Sequence, residues 1–156
     1  MKPTLPAFLL KPRQPGRAIL LAWPLVTLPA LGLAAFFSWL IPGAPSPVFE
    51  GDRWLIFFLV EVFAPIVESL IMAAVLEVLL RIVPWKWAVA LSAAGWGVAH
   101  SLQAPTWGLV IWWPFLIFSI LYVTWRKRSK VGAVGIAASV HALNNLIPAL
   151  LLLRSG

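Results

Sequence analysis

Three short stretches place chemically able side chains inside apolar runs: APIVES with Glu68, WGVAH with His100, and HALNN with His141, Asn144 and Asn145. Such groups need partners, because no water is at hand to replace one. A carboxylate and a neutral imidazole together can hold a water molecule and remove its proton. A second imidazole and a carboxamide can donate hydrogen bonds to the oxyanion of a tetrahedral intermediate, each worth about 3 kcal/mol in a water-poor site. That is equipment for hydrolysing a peptide bond without a covalent intermediate. A serine nucleophile has no GxSxG to sit in, and the chain has no cysteine. HExxH is missing too, although Glu68, His100 and His141 could in principle ligate zinc. No metal or other cofactor is expected.

The elements that carry these groups follow from composition. The chain of 156 residues is 62% hydrophobic and only 11% charged, where a soluble domain carries about a quarter charged residues. Five segments are apolar enough to approach the ~20 residues that cross a bilayer: 18–41, 54–80, 87–103, 107–125 and 131–153. The expectation is an all-α, polytopic membrane helix bundle of about five spans. Residues 1–17 form a basic tail and residues 18–153 a single bundle. The first segment follows Lys11, Arg13 and Arg17 in the manner of a signal peptide. Its length, and Pro42 where a small-residue cleavage site would stand, favour an uncleaved anchor.

Orientation follows from the cations. Lys2, Lys11, Arg13, Arg17, Arg81, Lys86, Arg126, Lys127, Arg128 and Lys130 fall on one side of the spans, against only Arg53 and Arg154 on the other. That asymmetry predicts N-in, C-out. The formal charge of +7 would otherwise suit nucleic acid. Its placement in short runs between apolar segments makes the bilayer the partner instead, with no nucleic acid.

The second segment is longer than a bilayer needs, about 40 Å as a helix, so it must tilt, overshoot or kink near Pro65. It holds Glu61, Glu68 and Glu77. Glu61 and Glu68 are seven residues apart and share a helical face. Glu77 turns to roughly the opposite face and stands four residues before Arg81, the favourable order for an ion pair near the inner interface. Glu68, in mid-span, is the carboxylate that needs explaining. Small residues precede both histidines: Ser92, Ala93, Ala94, Gly95 and Gly97 before His100, and Gly132, Gly135, Ala137, Ala138 and Ser139 before His141. Each set offers a surface for close helix approach. His141 and Asn145, four apart, face one way. A lone histidine in such a place is most often a hydrogen-bonded core residue. Two of them, with Glu68 and Asn145 at similar depth, point to a reaction centre.

In this order the three stretches resemble the motifs EExxxR, FxxxH and HxxxN of the CAAX-protease and bacteriocin-processing family. These are glutamate-type intramembrane endopeptidases that include the eukaryotic type II CAAX prenyl endopeptidase. The resemblance covers about residues 54–153. It implies that Glu68 and His100 activate water, and that His141 and Asn145 form the oxyanion site. The chain departs from the motifs at Ser69, where the family has a second glutamate, at Ala73, where it has arginine, and at Trp96, where it has phenylalanine. A rival frame on Glu77 and Arg81 keeps the second glutamate and the arginine but loses the first glutamate. The residues before Glu68 and the spacing to His100 fit the family better.

The resemblance implies an intramembrane endopeptidase of a membrane-anchored or hydrophobic-tailed protein or peptide. Its setting would be a multi-pass location in the cell membrane, of the bacterial inner-membrane kind. Two other readings stand beside it. The missing acid and arginine suit a non-catalytic member acting as an immunity factor or membrane scaffold. Glu61, Glu68 and the histidines could also line a proton or ion pathway.

Overall fold

The computed structural model describes residues 13–154 together with Pro6 and Leu9. Lys2 and Lys11 of the basic tail lie outside the described residues. Five long helices account for most of the rest, and no strand occurs among the described residues. They are α1 (Pro15–Leu40), α2 (Arg53–Leu79), α3 (Trp85–Ser101), α4 (Pro105–Trp125) and α5 (Lys130–Arg154).

Their ends are written in the sequence. Proline opens α1 and α4 at the first turn, where a missing N–H costs nothing. Because the residue before a proline is pushed out of the helical region, Ala104 is extended (φ −150°, ψ 120°) and separates α3 from α4. Gly51, at φ +127°, turns the connector into Asp52. Asp52 then caps α2 by accepting the Leu55 N–H at 2.9 Å.

Four helices, α1, α2, α4 and α5, are long and apolar enough to cross a membrane. The fifth expected span is shorter. At 17 residues, α3 runs about 25 Å, somewhat less than the ~30 Å hydrocarbon core. Leu20, Leu28, Val62, Leu70, Val98 and Leu151 all stand outward on the bundle. A soluble protein rarely tolerates so apolar a surface, whereas lipid is its natural solvent.

The centre of the bundle is α4. It touches all four other helices, and from Pro114 to Trp125 every residue except Leu116 is buried. An apolar stripe all round a helix calls for this position. The short turn after α4 brings α5 back alongside it, and α1 closes the bundle against α4 and α5. Trp113 Nε1 donates to the Leu25 carbonyl at 3.0 Å and fastens α1 to α4. That carbonyl is available because Pro29, four residues on, has no N–H to offer it.

Close approach through glycine occurs at one of the two predicted surfaces. The α3 and α4 backbones meet at Gly97 and Gly108: a Cβ on Gly97 would stand 3.1 Å from the Gly108 carbonyl oxygen. Ser119 Oγ donates to Ser92 Oγ at 3.1 Å across the same pair. Gly95 faces open space. On α5 the glycines are not at a crossing either, since Gly135 is open and Gly132 meets only Ser129. The buried small residues there are Ala133 and Ala137.

Gly108 is the least replaceable position in this arrangement. A Cβ there would overlap the Gly97 carbonyl oxygen and Ser101 Oγ, and the backbone half of that clash cannot rotate away. Gly108→Ala should cost about 1–3 kcal/mol and lower the thermal midpoint in detergent. Gly95→Ala, in open space, should be neutral or slightly stabilising.

Candidate active site

The site begins with a proline. Pro65 has no N–H, so the Glu61 carbonyl cannot receive its α-helical bond. The chain responds with a π turn over Leu59–Phe63, in which the Ala64 N–H reaches back to the Leu59 carbonyl. Val60 is thereby left without a helical donor: the Ala64 N–H is taken, and the next residue is the proline. Asn145 Nδ2 donates to this carbonyl at 3.0 Å. The kink expected near Pro65 is thus a π turn, and it fastens α5 to α2.

The π turn also corrects the reading that Glu61 and Glu68 share a face. One extra residue in the turn shifts the helical phase by about 100°, so a seven-residue spacing no longer repeats. Glu61 Oε2 is buried and has no hydrogen-bond partner among the described residues.

Below the π turn, Glu68 meets α5. Its Oε2 lies 3.8 Å from His141 Nε2, with side-chain exposures of 24% and 6%. The distance is too long for a direct hydrogen bond, so both atoms keep bonding capacity for a third group. The His141 ring stacks on Phe118 at 4.7 Å between centroids and meets the edge of Phe115 at 5.4 Å. Phe115 in turn lies 5.8 Å from the His100 ring. Both histidines therefore border one phenylalanine of α4. No ion-pair contact joins Glu68 to His100 among the described residues; the neighbour of Glu68 is His141.

His100 is held on three sides by aromatics: Trp96 and Phe115 at 5.8 Å and Trp107 at 4.6 Å. Its Nδ1 lies 2.9 Å from the Trp96 carbonyl oxygen. A carbonyl only accepts, so Nδ1 carries the proton, and a neutral ring keeps its lone pair on Nε2.

The profile of the Rce1-like family, described as type II CAAX prenyl endopeptidases, matches residues 50–147. The chain belongs to this family. No curated protein and no solved structure matches the chain. The Rce1-like match takes in α2, α3, α4 and most of α5, with Glu68, His100, His141 and Asn145 inside it, and leaves α1 outside. Together with its span-length helices, it makes the chain a multi-pass membrane protein of a protease family.

The two departures of this Rce1-like chain from the first motif are both buried: Ser69, whose Oγ has no hydrogen-bond partner among the described residues, and Ala73. One large cavity, about 670 Å³, opens between α1, α4 and α5. Its walls are mostly apolar, and of the four candidate residues only Asn145 lines it. Glu68, His100 and His141 stand off the walls of this cavity. Glu68 and His141 approach each other at 3.8 Å, His100 joins them through the Phe115 ring, and Asn145 is anchored on the Val60 carbonyl. Among the described residues no cluster of three or more histidine, cysteine or acidic side chains could hold a metal ion.

Glu77 corrects a further expectation. Its partner is not Arg81, because α2 ends at Leu79 and Arg81 sits in the following turn, off the helical face that an i,i+4 pair requires. Glu77 instead accepts from Arg126 at 2.6 Å, Lys130 at 2.7 Å and Tyr122 at 3.0 Å. The cluster joins the end of α2 to the turn between α4 and α5. The signal for it was the pair of cations bracketing that turn, at the same end of the bundle as Glu77. Glu77→Gln should therefore destabilise by about 1–2 kcal/mol, more than an isolated exposed pair is worth. Arg81→Gln should be silent in the same thermal-melt measurement.

Proposed function

We propose that the protein is an intramembrane endopeptidase that hydrolyses a peptide bond of a membrane-associated substrate through water activated by Glu68 and His100. The observation that carries this reading is the convergence of both histidines on Phe115 of α4, with the Glu68 carboxylate 3.8 Å from one of them. Glu68 supplies a carboxylate with an unsatisfied edge. His100 supplies a lone pair, because its Nδ1–H is committed to the Trp96 carbonyl. A water held about 2.8 Å from either acceptor loses its proton as it attacks the peptide carbonyl. The electron pair of the C=O bond moves to oxygen, and the oxyanion takes hydrogen bonds from His141 and Asn145. His141 Nε2 is not committed at 3.8 Å from Glu68. Asn145 Nδ2 carries two hydrogens, of which Val60 uses one. Collapse of the intermediate breaks the C–N bond, and the proton taken from water passes to the leaving amine.

The same reading places residues 18–153 in one bundle, N-in and C-out in the cell membrane. The basic collar supports it. Arg128 reaches the Arg13 carbonyl at 3.4 Å, so the N-terminal segment and the α4–α5 turn lie at one end. The substrate is a membrane-anchored protein or peptide with a hydrophobic tail. A second reading, a non-catalytic scaffold or immunity factor, draws support from the replacement of the motif's second acid and its arginine by Ser69 and Ala73.

Cleavage of a fluorogenic farnesylated peptide by the purified protein in liposomes separates the two. The wild type should cleave it, and Glu68→Gln should cut the rate at least ~10²-fold, the usual contribution of a general base, at unchanged membrane abundance. Chelation should leave the rate unchanged, since the proposed base and oxyanion donors need no metal. An inactive wild type, or a Glu68→Gln variant as active as the wild type, overturns the protease reading in favour of the scaffold. Loss of cleavage on chelation with recovery on adding zinc overturns the metal-free mechanism.

A further inference from the structure

Asn145 is the last link of a chain of hydrogen bonds that starts on a helix outside the family match. Thr27 Oγ1, on α1, donates to Asn144 Oδ1 at 3.3 Å. Asn144 Nδ2 donates to Asn145 Oδ1 at 3.4 Å, and Asn145 Nδ2 donates to the Val60 carbonyl at 3.0 Å. The direction of the whole chain is dictated from its far end. A backbone carbonyl only accepts, so the Val60 oxygen turns the NH₂ group of Asn145 toward α2 and leaves its Oδ1 facing Asn144. Asn144 must then present its own NH₂ to that oxygen, which leaves Asn144 Oδ1 facing α1. Only a donor satisfies it there, and Thr27 is that donor.

The setting makes these bonds count. Thr27 is buried, and Thr27, Val60, Asn144 and Asn145 all stand on the wall of the apolar cavity, where little competes for the amides. The register of α1 is fixed independently two residues away, where Trp113 Nε1 donates to the Leu25 carbonyl at 3.0 Å. Thr27 therefore meets Asn144 at a pinned point of the bundle.

We infer that Thr27 and Asn144 are positioning residues that fix the plane of the Asn145 amide, so that its second N–H is presented to the substrate. The inference rests on the reading of Asn145 as an oxyanion donor. It makes α1 part of the working unit. Thr27→Val keeps the shape of the side chain but sets a methyl group against the Asn144 oxygen. Without its donor the Asn144 amide is free to turn, and Asn145 Oδ1 loses the N–H donor that orders it.

The test is kinetic, on the whole protein in liposomes with a farnesylated fluorogenic peptide. Thr27→Val should lower kcat about tenfold with KM unchanged, Asn144→Ala should do the same, and Thr27→Ser should restore kcat to within about twofold of wild type. Asn145→Ala should lower kcat by ~10²-fold or more, the usual effect of removing one oxyanion donor. In that background Thr27→Val should have no further effect, because nothing remains to position. A full further tenfold loss there would mark a merely structural role and overturn the inference. So would a Thr27→Val enzyme with wild-type kcat while Asn145→Ala is impaired, and in that case the protease reading stands. If Asn145→Ala itself cleaves like the wild type, the donor reading of Asn145 falls and takes the inference with it.

Discussion

In lipid a backbone carbonyl without a donor is costly, and each proline inside a helix creates one. The architecture of this protein depends on how two of them are answered. Pro29 frees the Leu25 carbonyl, and the Trp113 indole fills it, which fastens α1 to α4. Pro65 and the π turn free the Val60 carbonyl, and the Asn145 amide fills it, which fastens α5 to α2. Both bonds join helices far apart in sequence. Unlike apolar contacts in a bilayer, which slide at little cost because lipid packs as well as leucine, they specify register.

The contacts between α2 and α5 form three polar rungs on an antiparallel pair. At one end Lys130 bonds Glu77, in the middle His141 faces Glu68, and beyond it Asn145 bonds the Val60 carbonyl. The outer two rungs are short and well made. The middle one is open at 3.8 Å, and it is the rung to which the chemistry is assigned. A helix pair clamped above and below a gap can hold a carboxylate and an imidazole near each other without letting them consume each other's bonding capacity. His100 comes to the same place by another route, on α3, whose backbone rests directly on α4 at Gly97 and Gly108.

Much of this was legible in the sequence. Hydropathy and length marked the helices, and the proline and glycine positions marked their ends. The rarity of ionisable residues in apolar runs singled out Glu68, His100 and His141, and the four-residue spacing from His141 added Asn145. Gly97 announced a close crossing, whereas Gly95 and Gly135 carried the same signal and face open space, because small size permits contact without requiring it. The partners of Glu77 were hidden by a local rule: i,i+4 pairing looks four residues ahead, and the true partners come from another pair of helices. The π turn was hidden because a helical wheel assumes a constant period, and the turn breaks that period next to Glu61. Thr27 was hidden most deeply. A threonine in an apolar helix is unremarkable until the amide oxygen it answers is known, and that amide's direction is set by a carbonyl on a third helix.

The glycine crossing gives the bundle an uneven stiffness. Where α3 rests on α4 there is no side chain between the backbones to change rotamer or tilt, so that seam has no slack. Among the described residues α1 touches only α4 and α5, and a large, mostly apolar cavity opens between the three. Packed atoms resist compression and voids do not. The α3–α4 seam is thus the part of the bundle that resists deformation most, and it is the seam that holds His100 beside Phe115.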